Sequence, residues 1–174
     1  MSEKIVISQD PNNYWEQLER LEKLIRASEL KAGVIFSFHS LILGLFADKI
    51  EYFQEIFKYN MVLVALVILW IVCVLISIYF CFKCFMPRLE TKIDKNVFFF
   101  KDAVDAFGSM EDYTKKLMSV CNSEEEFFKM LSEQIYIESK IIDLKFSSVQ
   151  KSIRFFAASF FVVVLMLVIW LVAT

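Results

Sequence analysis

The sequence is short of the residues that make turns. Among its 174 residues there are only 3 Gly and 2 Pro, against 19 Phe, 6 Tyr and 3 Trp. A β architecture needs a turn between successive strands, and Gly and Pro are the usual residues of such turns. Their scarcity disfavours a turn-rich β fold and favours long helices.

Patterns typical of enzymes are missing as well. His39 is the only histidine, and no cysteine or carboxylate stands near it at the spacing of a catalytic triad or a zinc site. No P-loop, GxGxxG, HExxH or GxSxG pattern occurs. We therefore predict that the protein is not an enzyme, has no catalytic residue and carries no cofactor.

The 4 cysteines also give no metal site. Cys81 and Cys84 form a CxxC pair, but this pair ends a continuous apolar run, and Cys73 lies inside the same run. Cys121 is alone in the polar middle of the chain, so no second pair completes a zinc site. We interpret these residues as small apolar side chains at a membrane face.

Charge of one sign is not in excess either. The chain has 19 Lys and Arg against 21 Asp and Glu, for a formal net charge of −2. Binding to a polyanion needs a concentrated positive field, which these numbers do not provide. Nucleic acid is therefore not an expected partner.

What the sequence does have is long apolar runs. Hydrophobic residues make up 57% and charged residues 23%, and the two populations are segregated along the chain. Residues 60–84 and 155–173 are each long enough to cross a hydrocarbon layer about 30 Å thick. Residues 32–47 cover only about 24 Å at ~1.5 Å per residue, which fits either a short first span or a re-entrant helix. The lipid bilayer is thus an expected partner.

The first apolar run differs from the others by its polar atoms. It contains Ser37, His39 and Ser40, which are costly against lipid tails and so should face protein or water. For His39 two interpretations stay open: a polar packing residue inside the helix bundle, or a residue facing a pore or ligand.

Polar helices are predicted outside the spans. Asp10 and Pro11 are typical of a helix start, and an amphipathic helix follows within residues 1–31. Residues 86–154 are also helical by pattern, and their apolar faces need partner helices, of which the N-terminal helix is one. Ser123 and Glu126 form a capping box, after which no Pro or Gly interrupts the chain. The sequence therefore permits one continuous helix of roughly 75 Å that leads from the polar section into the last span.

The basic residues predict the orientation in the membrane. Lys83 to Arg154 carries 12 of the 19 basic residues, and the first 31 residues carry five. The positive-inside rule then places the N-terminus in the cytosol, in agreement with the absence of a signal-peptide pattern there. The predicted fold is an all-α integral membrane protein with about three transmembrane helices and a cytoplasmic bundle, formed by the N-terminal helix and the section between the last two spans. With two spans, both ends would share the cytosol.

The order of several sequence blocks resembles one known family, the Pycsar transmembrane effectors of bacterial antiphage defence. The blocks that carry the resemblance are LIRASELKAGVIFSFHSLILGLF, FMPRLE, NVFFFKD and LSEQIYIESKIIDLKFSSVQKSI. Together they cover most of the chain from Leu24 onward. Two positions depart from the family pattern, with Glu29 where Asp is usual and His39 where Asn is expected.

The resemblance implies a membrane effector of abortive infection. Such a protein senses a cyclic pyrimidine mononucleotide, cCMP or cUMP, made by a partner nucleotide cyclase, and impairs or depolarises the bacterial inner membrane. A homo-oligomer is expected, because one chain with three spans offers little room for a pore. The positions that match the family motifs, and that the resemblance implies as ligand-binding residues, are Lys31, Arg88, Asn96, Gln134, Tyr136, Lys140 and Lys145.

Two alternatives stay open. The basic residues near the membrane either anchor the spans among headgroups or, with Arg88 first, line a pocket for a phosphate-bearing ligand. These basic residues are Lys83, Arg88, Lys92, Lys95, Lys151 and Arg154. The protein as a whole could instead be a structural or scaffolding membrane protein whose cytoplasmic helices dock a soluble partner.

Overall fold

The computed structural model describes residues 10–51, 61–86 and 95–173. Within these ranges the chain forms five helices and no strand, which confirms the all-α prediction. The helices are α1 (Pro11–Asp48), α2 (Met61–Phe85), α3 (Phe100–Asp105), α4 (Met110–Cys121) and α5 (Glu124–Ala173).

Helix α1 begins where the sequence predicted. The Asp10 side chain caps it, because its Oδ1 accepts a hydrogen bond of 2.9 Å from the backbone N–H of Asn12. The helix then continues for 38 residues to Asp48. The amphipathic segment and the first apolar run, which differ in composition, are therefore parts of one helix.

Helix α5 is the longest element, with 50 residues, or about 75 Å at ~1.5 Å per residue. This confirms the predicted uninterrupted helix. Its predicted capping box forms only in part. Ser123 Oγ accepts from the Glu126 N–H at 3.4 Å, but Ser123 N donates to the carbonyl of Val120 and the Glu126 carboxylate pairs with Lys116.

The segment before α5 is less regular than its apolar spacing indicates. Apolar and small residues recur there at helical spacing, which predicts that one helical face contains Ala103, Phe107, Met110, Thr114 and Leu117. The helix nevertheless breaks between α3 and α4. Gly108 has a φ of +77°, a conformation that glycine adopts without steric cost. Ser109 then starts α4, because its Oγ accepts from the N–H of Asp112 at 3.1 Å. One helical face through this segment is therefore a wrong prediction.

Three of the described helices are long and apolar enough to cross a membrane. They are α1, α2 and α5, with a candidate window in each. The number of candidate spans agrees with the sequence-based fold class of about three transmembrane helices.

The chain divides into two compact units, and α1 and α5 contribute residues to both. Unit 1 comprises Met1–Ile25 and Leu89–Ile142, and unit 2 comprises Arg26–Arg88 and Asp143–Thr174. All three candidate spans supply residues to unit 2, while α3 and α4 belong to unit 1.

Unit 1 is held together by a small apolar core. Val97, Val120 and Met130 are buried at its centre. The N-terminal part of α1 packs against this unit through aromatic rings, with the Tyr14 ring 5.1 Å from that of Phe128. The Trp15 ring likewise lies 5.7 Å from the Phe98 ring, edge to face. The N-terminal helix is thus a partner of the middle section, as the pattern predicted.

Unit 2 has two apolar clusters along α1, α2 and α5. One contains Ala32 and Ile35 of α1, Cys81 and Cys84 of α2, and Val149 of α5. The other is built on Trp70, Val74 and Val162, with α1 side chains packed against it. Because each cluster draws on three helices, the burial of these side chains fixes which face of each helix points inward.

Candidate ligand-binding and gating residues

Lys145 is a buried charge in unit 2. Its side chain is only 4% exposed, whereas that of its partner Glu29 is 40% exposed. Lys145 Nζ lies 2.7 Å from Glu29 Oε1 and donates a second hydrogen bond of 2.8 Å to the carbonyl of Cys84. The ammonium therefore joins all three long helices, since these residues lie on α5, α1 and α2.

This arrangement is what a buried ammonium requires. Taking a charge out of water costs several kcal/mol unless an opposite charge and hydrogen bonds compensate for it. The Glu29 carboxylate supplies the charge, and the Cys84 carbonyl lies in the last turn of α2, where backbone carbonyls lack helical partners. Lys145, implied by the family resemblance as a ligand residue, thus has a structural function in this state.

Asn96, another residue implied by the resemblance, lies in the core of unit 1 with 0% exposure. Its Nδ2 donates to the carbonyl of Met130 at 2.8 Å, and its Oδ1 accepts from the N–H of Phe98 at 2.9 Å. Its own N–H donates to Asp102 Oδ2 at 2.9 Å. The asparagine thereby fixes the turn before α3 against α5.

Gln134 lies one helical turn after Met130 on α5 and is 7% exposed. Its Nε2 donates to Glu138 Oε1 at 3.0 Å. Burial raises the pKa of the Glu138 carboxyl above its ordinary value of 4.5, the hydrogen bond from Gln134 lowers it, and the nearby Glu22 carboxylate raises it again. The two residues form a polar pair on α5 in which Gln134 is buried and Glu138 is partly buried.

Tyr136 and Lys140 form a pair of a different kind on α5. Tyr136 is 57% exposed, and the Lys140 Nζ lies 4.7 Å from the centroid of its ring. The two residues are four positions apart, which places them side by side on the helix surface. An accessible aromatic face beside an ammonium can stack on a planar base and attract a phosphate.

The described residues among the seven implied ligand residues are divided between the two units. Asn96, Gln134, Tyr136 and Lys140 belong to unit 1, while Lys145 belongs to unit 2. Lys31 is exposed on α1 in unit 2, and Arg88 lies outside the described residues.

The three polar residues of the first apolar run have different surroundings. Ser37 and Ser40 are exposed and donate to carbonyls of their own helix, Gly33 at 2.9 Å and Phe36 at 3.0 Å. His39 is 1% exposed and its ring meets that of Phe156 edge to face at 5.0 Å, while its Nε2 has no hydrogen-bond partner. The buried histidine is therefore packed against an aromatic ring, with one polar atom unsatisfied.

A polar contact between α2 and α5 was not predicted from the sequence. Ser77 Oγ and Ser152 Oγ lie 3.0 Å apart, and each hydroxyl also reaches the backbone carbonyl of the other residue. Cys81 Sγ lies 3.0 Å from the same Ser152 Oγ. The signal in the sequence was a serine inside the apolar run of α2, where a hydroxyl needs a partner.

The CxxC pair is part of this packing. Cys81 and Cys84 are both free and fully buried in unit 2. Across the part of the chain that the structure describes, no three His, Cys, Asp or Glu residues come together as metal ligands. Packing among the spans accounts for the position of both thiols.

Fold and site together define an all-helical membrane protein in which the two longest helices, α1 and α5, contribute residues to both unit 1 and unit 2. The chain belongs to the Pycsar effector family, since the model described as the Pycsar effector protein domain matches residues 13–172. This confirms the resemblance seen in the sequence. No curated protein and no solved structure matches the chain. Family membership makes it an effector domain of cyclic-nucleotide antiphage signalling.

Proposed function

We propose that the protein is the membrane effector of an antiphage system, which senses a cyclic pyrimidine mononucleotide, cCMP or cUMP, and depolarises the bacterial inner membrane. The observation that carries this proposal is the extent of the family match, residues 13–172. This range includes most of both units and of the three candidate spans, so the chain has the polar and the membrane parts of an effector. Its functional partner is a nucleotide cyclase, which acts on this protein only by making the cyclic nucleotide.

The long helices provide the route by which a signal reaches the membrane. α1 and α5 each run without interruption through residues of unit 1 and unit 2. Helices are stiff, so a ligand that rotates or shifts the unit 1 part of either helix also moves its apolar part. A ligand that binds one state ~100-fold better than the other supplies about 2.7 kcal/mol, which is enough to shift a poised equilibrium.

On the ligand side, Tyr136 and Lys140 have the most suitable chemistry. The exposed ring of Tyr136 can stack on a pyrimidine base, and stacking of this kind tolerates either base. Lys140 beside it can pair with the cyclic phosphate. Lys31 and Arg88 are further candidates for the phosphate, because both are basic and both match the family motifs.

For orientation we propose that the N-terminus and unit 1 lie in the cytosol. The section from Lys83 to Arg154 contains 12 of the 19 basic residues, while the connection from Asp48 to Asn60 contains two. With three spans, the short connection then lies outside and the two polar sections share the cytosol. A cytosolic unit 1 is also where a cyclase product is available.

We further propose a homo-oligomer. The described parts of α2 and α5 expose many large apolar side chains, among them Ile68, Leu75, Phe161 and Leu167. Lipid or other copies can cover such faces, but three helices from one chain enclose no pore. A ring of copies provides one, with the exposed Ser37 and Ser40 of α1 as a candidate polar lining.

The test is depolarisation in a bacterial host carrying a membrane-potential dye. Co-expressed cyclases supply cCMP, cUMP or cAMP, and a cyclase-free strain is the control. We expect depolarisation only with a cyclic pyrimidine nucleotide, and loss of the response in a well-expressed Arg88→Ala variant. Unchanged potential in every strain, with confirmed membrane insertion and nucleotide production, contradicts the proposal.

That negative outcome would favour the scaffold alternative, which one observation supports. α3 and the start of α4 expose Phe100, Val104 and Met110, with exposed fractions of 77%, 78% and 85%. Phe100 and Val104 are four positions apart and so lie side by side on α3, and adjacent exposed apolar side chains are a feature of surfaces that dock a partner. A scaffold leaves the membrane potential unchanged whichever nucleotide is supplied, so the same experiment separates the two functions.

A further inference from the structure

Gln134 and Glu138 leave two buried oxygen atoms without a hydrogen bond. Among the described residues, the buried side-chain atoms with no partner are Gln134 Oε1, Glu138 Oε2 and His39 Nε2. The first two belong to side chains already joined by a hydrogen bond from Gln134 Nε2 to Glu138 Oε1. A buried acceptor without a donor costs about 1–3 kcal/mol, so two of them on one pair require an explanation.

The Gln134 amide is oriented so that its Nε2 donates to Glu138 Oε1. With Glu138 ionised, turning the amide over would instead place its oxygen against a carboxylate oxygen, two acceptors facing each other. The remaining atoms, Gln134 Oε1 and Glu138 Oε2, are then both acceptors as long as Glu138 is ionised. Since the residues are one helical turn apart, their polar ends lie side by side.

A single proton satisfies both atoms. A hydroxyl at Glu138 Oε2 can donate to Gln134 Oε1, while the existing bond from Gln134 Nε2 to Glu138 Oε1 stays in place. The result is the two-bond pair that a carboxylic acid forms with an amide, in which every polar atom has a partner. We propose that Gln134 and Glu138 form a buried proton-binding site, with Glu138 uncharged in the folded protein.

The surroundings of Glu138 favour the uncharged form. The positions one turn away on α5, apart from Gln134, are Ile135, Ile141 and Ile142. From α1, the described titratable group that acts on Glu138 is Glu22, and its charge opposes ionisation. Burial, which raises the pKa of Glu138, acts in the same direction. Lys145 offers a contrast, since it has a counter-ion in Glu29.

The bound proton has a mechanical consequence for unit 1. With Glu138 uncharged, α1 and α5 pack through a neutral pair opposite Glu22. When the proton leaves, Glu138 becomes a carboxylate whose charge is opposed by that of Glu22 on α1, which already acts to raise its pKa. The proton is therefore a ligand that holds the N-terminal part of α1 on α5, and its release loosens the contact.

Linkage gives the sign of the pH dependence. A carboxyl whose pKa is raised on folding stabilises the folded state most at low pH. For Glu138 this stabilisation is lost as the pH rises from 4.5, the ordinary pKa of the carboxyl, through the raised pKa of the folded state. The fall in unfolding temperature therefore begins where the unfolded chain loses this proton, and the pH at which the fall levels off reports its release from the folded protein. Glu138→Gln removes the titration while supplying a second amide that can make both hydrogen bonds.

The experiment uses the full chain purified in detergent micelles. Infrared difference spectra and unfolding temperatures are recorded across pH for wild type, Glu138→Gln and Asp143→Asn, an exposed acid on the same helix. We expect wild type and Asp143→Asn to show a protonated-carboxyl band at neutral pH and an unfolding temperature that falls as pH rises. Glu138→Gln should lack the band and should lose that part of the pH dependence.

A swapped variant, Gln134→Glu with Glu138→Gln, provides a second test. It rebuilds the acid–amide pair with the two groups exchanged, so we expect the carboxyl band and the pH dependence to return. If wild type shows no protonated-carboxyl band at neutral pH, or if Glu138→Gln has the same band and pH profile as wild type, Glu138 is ionised and the inference is wrong.

Discussion

Lys145 Nζ on α5 lies 2.7 Å from Glu29 Oε1 on α1, and the two side chains differ tenfold in exposure, 4% against 40%. The buried partner is therefore the cation, and the partner that water reaches is the carboxylate. Removing Glu29 and removing Lys145 should therefore have unequal effects on stability. Loss of Glu29 leaves an uncompensated ammonium inside unit 2, whereas loss of Lys145 leaves a carboxylate that can be hydrated.

We predict that Glu29→Ala destabilises the protein more than Lys145→Met does. Breaking a fully buried ion pair costs roughly 3–5 kcal/mol, but water reaches this pair through Glu29, so about 2 kcal/mol is expected. Thermal unfolding in detergent measures the difference. Glu19→Gln is the control, because Glu19 pairs with Lys23 on the exposed surface of the same helix. An effect of Glu29→Ala no larger than this control would show that the pair is not structural.

A second prediction concerns the hydroxyl pair that joins α2 and α5. Ser77 and Ser152 are both fully buried, and their hydroxyls contact each other as well as the backbone carbonyl of the opposite residue. A double-mutant cycle of Ser77→Ala and Ser152→Ala should give a coupling energy of about 0.6–1.7 kcal/mol, the range for interhelical bonds in membrane proteins. Ser159→Ala is the control, because the Ser159 hydroxyl donates to the Phe156 carbonyl within its own helix α5. Additive single effects would rule out the coupling.

Asn96→Ala should destabilise unit 1 specifically. The substitution removes two side-chain hydrogen bonds and leaves the Met130 carbonyl and the Phe98 N–H without these partners, at a cost of about 2–3 kcal/mol. Hydrogen exchange should accelerate from Asn96 through α3 and remain unchanged along α2. Asn122→Ala, at an exposed position after α4, serves as the control. Equal exchange in wild type and Asn96→Ala would contradict the assigned role.

For the ligand, we predict that the ring of Tyr136 matters and its hydroxyl does not. Tyr136→Ala should raise the nucleotide concentration needed for half-maximal depolarisation about tenfold, since stacking on a base contributes roughly 1–3 kcal/mol. Tyr136→Phe should respond like wild type. Dye measurements on proteoliposomes with added nucleotide provide the readout. Equal loss in both variants would point to the hydroxyl and against stacking.

Lys140 can be tested in the same assay for its charge. Lys140→Ala should also require more nucleotide, and raising the ionic strength should weaken the wild-type response and reduce its advantage over the variant. Lys129→Ala removes an exposed lysine from the same helix and should leave the response unchanged. If the two lysine variants behave alike, a local phosphate contact at Lys140 is excluded.

The fold was predictable because it depends on properties that can be read along the chain. Charge-free runs, the scarcity of Gly and Pro, and the capping groups at Asp10 and Ser123 determined where the long helices begin and that they span a membrane. The break at Gly108 was missed, because apolar spacing on both sides of a short turn can match one helical face by coincidence. The continuity of α1 was missed for a related reason, since a change in composition is not a change in backbone conformation.

The candidate site was predictable only as a set of residues matching family motifs. The sequence could not tell that Lys145 is buried while Lys31 is exposed, because both are basic residues near an apolar run. It also could not pair Ser77 with Ser152, which are 75 residues apart. Such contacts depend on which faces of α1, α2 and α5 turn toward each other.

The sequence by itself thus determined an all-helical membrane protein of the Pycsar effector family, because hydrophobicity and length decide whether a helix spans a bilayer. Only the tertiary structure decided which polar groups are buried and with what partners. Burial of Lys145 beside Glu29, and of Gln134 beside Glu138, follows from helix packing. The free energy of burying a polar side chain depends on its hydrogen-bond partners, so it cannot be assigned until the neighbouring residues are known.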